Sequence, residues 1–235
     1  IKQALELAAE AREAGIDGII VQDIGLARAL RRIMPDVPLH GSTQMTIYDV
    51  NGAKALEDMG FKRVVTAREL TLEEISEIVQ KTSLAVEIFV HGALCVCYSG
   101  QCLMSSIIGG RSGNRGRCAQ PCRLPYKLIE QGSGKPVQPT GKGWHGANDL
   151  YLLSPKDICA LDLLDEIVAS GVRSLKIEGR MKSPEYVATV VRIYRKYLDM
   201  ALKKYDEGTG NKSQKPKIEY DDMHELLQAY NRGGF

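Results

Sequence analysis

No stretch of this chain approaches the roughly 20 consecutive apolar residues that a membrane-spanning helix needs. No basic-then-apolar leader opens it either, so the sequence reads as cytosolic with no membrane partner. A large excess of either charge is missing too: the formal net charge is only +2. Bulk electrostatics therefore makes no case for nucleic acid, and only a local basic patch remains as an electrostatic route to it. H-E-x-x-H and G-x-S-x-G are both absent, which removes two common motif-based routes to hydrolysis. C-x2-C is absent as well, and with it the usual zinc knuckle. There is no sequence repeat beyond structural alternation. An initiator methionine is lacking: the chain starts at Ile1 and stops at Gly233-Gly234-Phe235. It therefore reads as cut at both ends, with further segments expected outside it.

What is present is the composition of a globular protein: 235 residues, 44% hydrophobic and 26% charged. That suffices for one large domain, or a domain with an appendage. The conspicuous surplus is cysteine. Cys95, Cys97, Cys102, Cys118 and Cys122 crowd into one stretch, and Cys159 lies downstream. In a cytosolic chain such clustering points to metal or redox chemistry rather than structural disulfides.

Periodicity predicts helices over 2–14, 24–34, 46–59 and 71–81, the last opened by a Thr71–Glu74 capping box. Short β-rich runs predict strands over 17–22, 37–41, 62–66 and 84–90. After the cysteines, 131–149 is rich in Gly, Pro and Lys and reads as a loop. Alternation then resumes with a strand at 150–153, a helix over 155–170 capped by Ser154 and Pro155, and a strand over 172–177. A long helix over about 184–204, a polar linker over 206–217 and a short helix complete the chain. Such alternation argues for an α/β fold with a parallel sheet. We expect a partial (β/α) TIM-like barrel over 1–205, carrying a cysteine-rich insertion (91–126) and the 131–149 loop. Residues 206–235 form a linker and a truncated C-terminal appendage.

Strand C-terminal ends surround the site in such barrels. The polar residues there, His40, Gln44, Arg68, Glu87, His91, Glu178 and Arg180, are the candidate catalytic set. Arg68, Arg180 and Lys182 are suited to a dicarboxylate. The blander alternative is that polar residues simply begin loops. The glycine- and arginine-rich run Gly109–Arg117, with Arg111 and Arg115, offers backbone N–H groups and guanidinium forks to an acidic small molecule or an RNA backbone. Otherwise it is a solvated loop. Tyr98 and Trp144 are candidates to stack on a base, or simply to pack.

The cysteine spacing is Cys95-x6-Cys102-x15-Cys118-x3-Cys122. An iron–sulfur cluster needs about four convergent thiolates; a structural zinc site or unligated thiols are the alternatives. Cys95 and Cys97 share a face of an extended chain, so spacing leaves them equivalent. Cys122 and Cys159 compete for the fourth place.

Several blocks resemble the collagenase-like peptidase family, U32: Glu87-x-Phe89-x-His91-Gly92-Ala93-Leu94-Cys95, Gly100-Gln101-Cys102-Leu103-Met104-Ser105 and His40-Gly41-Ser42-Thr43-Gln44. Arg115-Gly116-Arg117-Cys118-Ala119-Gln120-Pro121-Cys122-Arg123 and Lys176-Ile177-Glu178-Gly179-Arg180-Met181-Lys182-Ser183-Pro184-Glu185-Tyr186 belong with them. The resemblance covers nearly the whole chain. It implies a barrel whose first strands lie outside this sequence. It also implies a 4Fe-4S cluster on Cys95, Cys102, Cys118 and, downstream, Cys159. It implies oxygen-independent RNA hydroxylation, on transfer RNA wobble uridine or large-subunit ribosomal RNA cytidine, with prephenate as hydroxyl source. The family's older label, proteolysis, is the alternative; it would need a pair such as Cys95 with His91. A non-enzymatic iron–sulfur accessory subunit is the third. One nucleophile does not explain five neighbouring cysteines, so hydroxylation ranks first.

Overall fold

The computed structural model describes residues 1–137, 151–179, 182–208 and 216–229. They form two compact units. One comprises Ile1–Leu94, Tyr98–Gln101 and Lys156–Phe235; the other comprises Cys95–Cys97 and Cys102–Pro155.

The first unit has the predicted alternation. Helices α1 (Lys2–Glu13), α2 (Ile24–Ile33), α3 (Val50–Asp58) and α4 (Leu72–Lys81) interleave with β1 (Ile19–Val21), β2 (Leu39–Gly41), β3 (Arg63–Val65) and β4 (Ala85–Ala93). Local chemistry fixes the helix starts. Asp23 and Asp49 accept N–H bonds from Leu26 and Gly52, and Thr71 with Glu74 closes a reciprocal capping box.

Strands β1 to β4 pair in parallel and in chain order, and β6 (Ser174–Ile177) joins β4 in parallel. Strand β5 (Asp157–Cys159) also pairs with β4, antiparallel. Glu87 is paired with both β3 and β6, and His91 with both β5 and β6. Hence β3 and β5 occupy the same edge of β4, one after the other, with β6 on the opposite edge. Among the described strands β1 has β2 as its single neighbour, so the sheet is open rather than a closed barrel.

Side chains on one face of the sheet, among them Leu39, Val64, Val86 and Ile88, enter the core with Leu30, Leu56, Ile78, Leu164 and Ile193. The other face is polar. Helix α6 (Leu164–Ala169) and the long α7 (Pro184–Asp206) come next, and α8 (Tyr220–Ala229) packs on α7. The α8 contact is specific: Tyr197 donates to Asp222 and accepts from the Glu219 amide, each at 2.8 Å, and Leu226 is fully buried. Among the described residues no helix is long and apolar enough to cross a membrane.

Two expectations are corrected. Residues 155–170 are not one helix: they form β5, a 3-10 turn at Leu161–Leu163 and then α6. Residues 151–153 form a turn, not a strand. The reason is β4, which runs on to Ala93 and offers unpaired backbone groups at His91–Ala93. Asp157–Cys159 satisfies them, and buried backbone groups rarely go without partners.

In the second unit regular structure is sparse: helix α5 (Met104–Gly109) and 3-10 turns at Gly113–Arg115 and Pro121–Arg123. Ser105 is buried and its Oγ accepts from the Ala119 amide; Arg123 donates to Ser154 Oγ and the Pro155 carbonyl. Small folds with little core depend on such bonds.

Candidate functional site

Strand pairing puts one row of side chains on the polar face of the sheet. His40 is level with Arg63, Val65 with Glu87, Glu87 with Ser174, and Phe89 with Lys176. Side chains alternate along a strand, so these residues share a face. Glu87 is the hub. Its carboxylate lies 3.1 Å from Arg63 Nη1 and 3.1 Å from Lys176 Nζ, and it accepts from Ser174 Oγ at 2.8 Å. Burial pushes Glu87 up, but Ser174, Lys176 and Arg63 together outweigh it and hold the carboxyl below its ordinary value. Burial, and then the Arg63 charge, lower His40, so its imidazole is neutral near pH 7. Gly18 makes room for that ring; a Cβ there would stand 3.1 Å from it. Phe89 lies under two cations, Arg68 at 5.5 Å and Lys176 at 5.4 Å from its centroid.

A second group tops this face. Ser99 is fully buried. Its amide donates to Glu69 at 2.9 Å, its carbonyl accepts from Thr46 Oγ1 at 2.8 Å, and its Oγ accepts from the Arg68 amide at 3.2 Å. Arg68 Nε is 3.3 Å from the same oxygen. Arg68 thus holds the Tyr98–Gln101 turn as well as facing Phe89. Gly100 has φ +77°, and a Cβ on it would lie 2.4 Å from the Gln44 carbonyl, so this turn requires glycine.

Where β4, β5 and α7 meet, Tyr194 is the node. Its hydroxyl donates to the Val90 carbonyl at 2.8 Å and accepts from the Ala160 amide at 3.1 Å. His91 Nδ1 is 3.3 Å away and Cys159 Sγ 3.7 Å. The hydroxyl has one proton, and the Val90 carbonyl and Cys159 Sγ are both within reach of it, the carbonyl nearer. Burial lowers His91 to about 4 and raises Tyr194 well above the ordinary tyrosine range. Cys159 is raised, by burial first, against hydrogen bonds from the Leu161 amide and Tyr194.

The second unit carries the other cysteines. Cys122 is raised by burial; Arg123 opposes this, and the nearby thiols of Cys95, Cys118 and Cys102 add to it. The Gln120 amide donates to Cys118 Sγ at 3.3 Å. All six cysteines are free thiols. Cys95, Cys102 and Cys118 thus lie near enough to Cys122, within one unit, for their charges to act on it. Yet among the described residues no three His, Cys, Asp or Glu side chains are drawn together as donors to one ion. These two findings differ in reach: charge acts over several ångströms more than coordination does. As a donor set, clustered thiols with an N–H···S bond fit thiolate ligation of an iron–sulfur group.

The anticipated site residues therefore divide. His40, Arg68 and Glu87 share the polar face. Gln44 lies in the loop under Gly100, and His91 is buried at the Tyr194 node. The Glu178 amide donates to the His91 carbonyl, and its own carbonyl accepts from Tyr186. Lys182 Nζ lies 5.4 Å over the Tyr186 ring. Arg111 and Arg115 are exposed in the second unit. Arg180 and Trp144 lie outside the described residues. Sequence reading missed Arg63, Ser174, Lys176, Tyr194 and Ser99 as site residues. Alternation puts Arg63 on one face with Val65, and Ser174 on one face with Lys176, but only strand register brings these residues to Glu87.

The model of peptidase family U32 matches residues 1–235. The chain is 39% identical over 233 residues to the 23S rRNA 5-hydroxycytidine C2501 synthase of Escherichia coli (strain K12), across 99% of this chain and 33% of that protein. It is 39% identical over 188 residues to tRNA hydroxylation protein P1 of Bacillus subtilis (strain 168), across 80% of this chain and 43% of that protein. To an uncharacterized protease of Methanocaldococcus jannaschii it is 36% identical over 237 residues, across 99% of this chain and 54% of that protein. The chain thus spans between a third and about half of the length of these relatives.

Proposed function

This chain belongs to peptidase family U32, and from that membership we propose that it is part of an enzyme that hydroxylates RNA. One observation carries the reading: two relatives, each 39% identical to it, are named for hydroxylation of 23S rRNA and of tRNA. The proposed substrate is transfer RNA wobble uridine or large-subunit ribosomal RNA cytidine, which places the enzyme in the cytoplasm. The open sheet of parallel strands is proposed to be part of a (β/α) barrel with its polar face turned inward.

The proposed cofactor is a 4Fe-4S cluster on Cys95, Cys102 and Cys118, with Cys159 as the fourth ligand and Cys122 as the competing one. When bound, such a cluster supplies one-electron chemistry at iron. Replacing C–H by C–OH on a base withdraws two electrons, so it needs both a hydroxyl source, for which we propose prephenate, and a separate two-electron acceptor. On the polar face, Arg63, Arg68 and Lys176 present cations to an acidic co-substrate, while the Glu87 carboxylate fixes two of them. His40, held neutral, is the group there able to accept a proton.

The relative named a protease favours a second reading, peptidase. It needs an accessible base beside a thiol. His91, the candidate, is 1% exposed and faces Tyr194, so hydroxylation ranks first.

Two measurements test this. Mass spectrometry of total RNA nucleosides from a strain lacking the gene should show one hydroxylated pyrimidine missing; an unchanged nucleoside profile defeats the reading. Anaerobic purification should give a brown protein containing iron and sulfide. A colourless protein that hydrolyses gelatin, and loses that activity in Cys95→Ala, would establish the peptidase instead.

A further inference from the structure

Charge is distributed unevenly between the two units. In the second, the described residues include Arg111, Arg115, Arg117, Arg123, Lys127 and Lys135 but a single carboxylate side chain, Glu130. Lys142 and Asp149 cancel in the remainder of that unit, and the whole chain is only +2. The first unit is therefore net acidic, and the near-neutral total conceals a basic module.

The cations of this module differ in how they are used. Arg123 is committed to Ser154 Oγ and the Pro155 carbonyl. Arg111 Nε donates to the Arg117 carbonyl at 3.0 Å, while the Arg111 amide donates to the Ser105 carbonyl and the Arg117 amide to the Ser112 carbonyl. These bonds, with left-handed turns at Gly110 (φ +65°) and Gly116 (φ +69°), fold 110–117 into a closed loop. Arg115 and Arg117 project from it, exposed. Among the described residues, neither Arg115 nor Arg117 forms an ion pair. Two guanidinium groups on a loop braced by backbone bonds, with no carboxylate to neutralise them, are suited to phosphate oxygens.

We propose that the Arg111–Arg117 loop is a docking surface for the RNA phosphodiester backbone, with Arg115 and Arg117 as its contacts and Arg111 as the brace. The surface rests on the proposed RNA hydroxylation and adds which part of the molecule does the gripping. Backbone contacts position a nucleic acid without reading its sequence. The surface should thus hold transfer RNA and ribosomal RNA alike, leaving the choice of base to the rest of the enzyme.

The test is salt-dependent binding of the purified protein to a labelled transfer RNA pool and to a labelled single-stranded oligoribonucleotide, between about 50 and 200 mM salt. For single strands each phosphate contact contributes about 0.7 to the slope of log affinity against log salt. Arg115→Gln/Arg117→Gln should therefore lower that slope by about 1.4 on the oligoribonucleotide, weakening both probes. Arg115→Lys/Arg117→Lys should keep the slope, as should Arg28→Gln/Arg32→Gln, which removes two exposed cations of α2 in the first unit. An unchanged slope in the Gln pair overturns the surface while leaving the RNA reading intact. So does an equal fall in the α2 pair, or a Lys pair that behaves like the Gln pair. A parent protein that binds neither probe at the lowest salt overturns both.

Discussion

At the scale of single residues, Glu87 concentrates the most interaction on the polar face. Removing it strands Arg63 and Lys176 beside one another. Glu87→Ala should cost about 2–3 kcal/mol by urea unfolding, short of the full buried-pair penalty because both cations keep some water. Glu87→Gln, which retains the Ser174 contact, should cost less; equal losses would mean the charge is irrelevant. His91 supplies the pH dependence. Its folded value is lowered to about 4 from an ordinary 6.5, so the fold favours the neutral ring and the unfolded chain takes up the proton first. Its stabilising share is fully present above 6.5. As pH falls from 6.5 toward 4 that share is lost, on the order of 3 kcal/mol. Glu87, also held below its ordinary 4.5, adds a loss only below that value. The unfolding midpoint should therefore fall with acidification in the parent. In His91→Leu the fall above the carboxyl range should shrink to the share left by His40, which is also held below its ordinary value; an undiminished fall in that variant would assign the effect elsewhere.

At the scale of elements, the Tyr98–Gln101 turn and helix α8 are each held by a few bonds whose removal can be read locally. Gly100→Ala places a methyl 2.4 Å from a backbone oxygen at φ +77°. That should cost on the order of 2 kcal/mol and loosen the loops around Ser99. Hydrogen exchange should rise at Thr46, Arg68 and Ser99; unchanged exchange there would mean the turn adapts freely. Tyr197→Phe removes the hydroxyl that joins Asp222 to the Glu219 amide. It should cost about 1–2 kcal/mol, with faster exchange confined to Tyr220–Ala229. A uniform rise across α7 would show instead that α8 is not separately secured.

At the scale of the whole molecule, the cysteines make the sharpest demand. Cys118→Ala should lower bound iron and sulfide after anaerobic purification, whereas Cys97→Ala should leave them unchanged; the comparison of Cys122→Ser with Cys159→Ser then identifies the fourth ligand by iron content. Much of this architecture was legible in the chain itself. Apolar alternation marked β1 to β4 and the helices between them, and Thr71–Glu74 announced α4, because such signals are local. The cysteine stretch was legible for the same reason, and the family blocks with it. Ser154-Pro155 misled: the pair carries a helix-start signature, yet it leads into strand β5. Asp157–Cys159 is extended because His91–Ala93, more than 60 residues earlier in the chain, has backbone groups to satisfy. The charge hub at Glu87 was equally hidden, since Arg63 and Lys176 are brought to it only by strand register. Local sequence was enough for the helices and strands ahead of the cysteines, for where the thiols cluster and for how the family blocks fall, because those depend on neighbours along the chain. Only long-range pairing gave β4 its three partners and buried His91 as a neutral ring. Each of those comes from contacts between residues far apart in sequence, whose pairing no local pattern encodes.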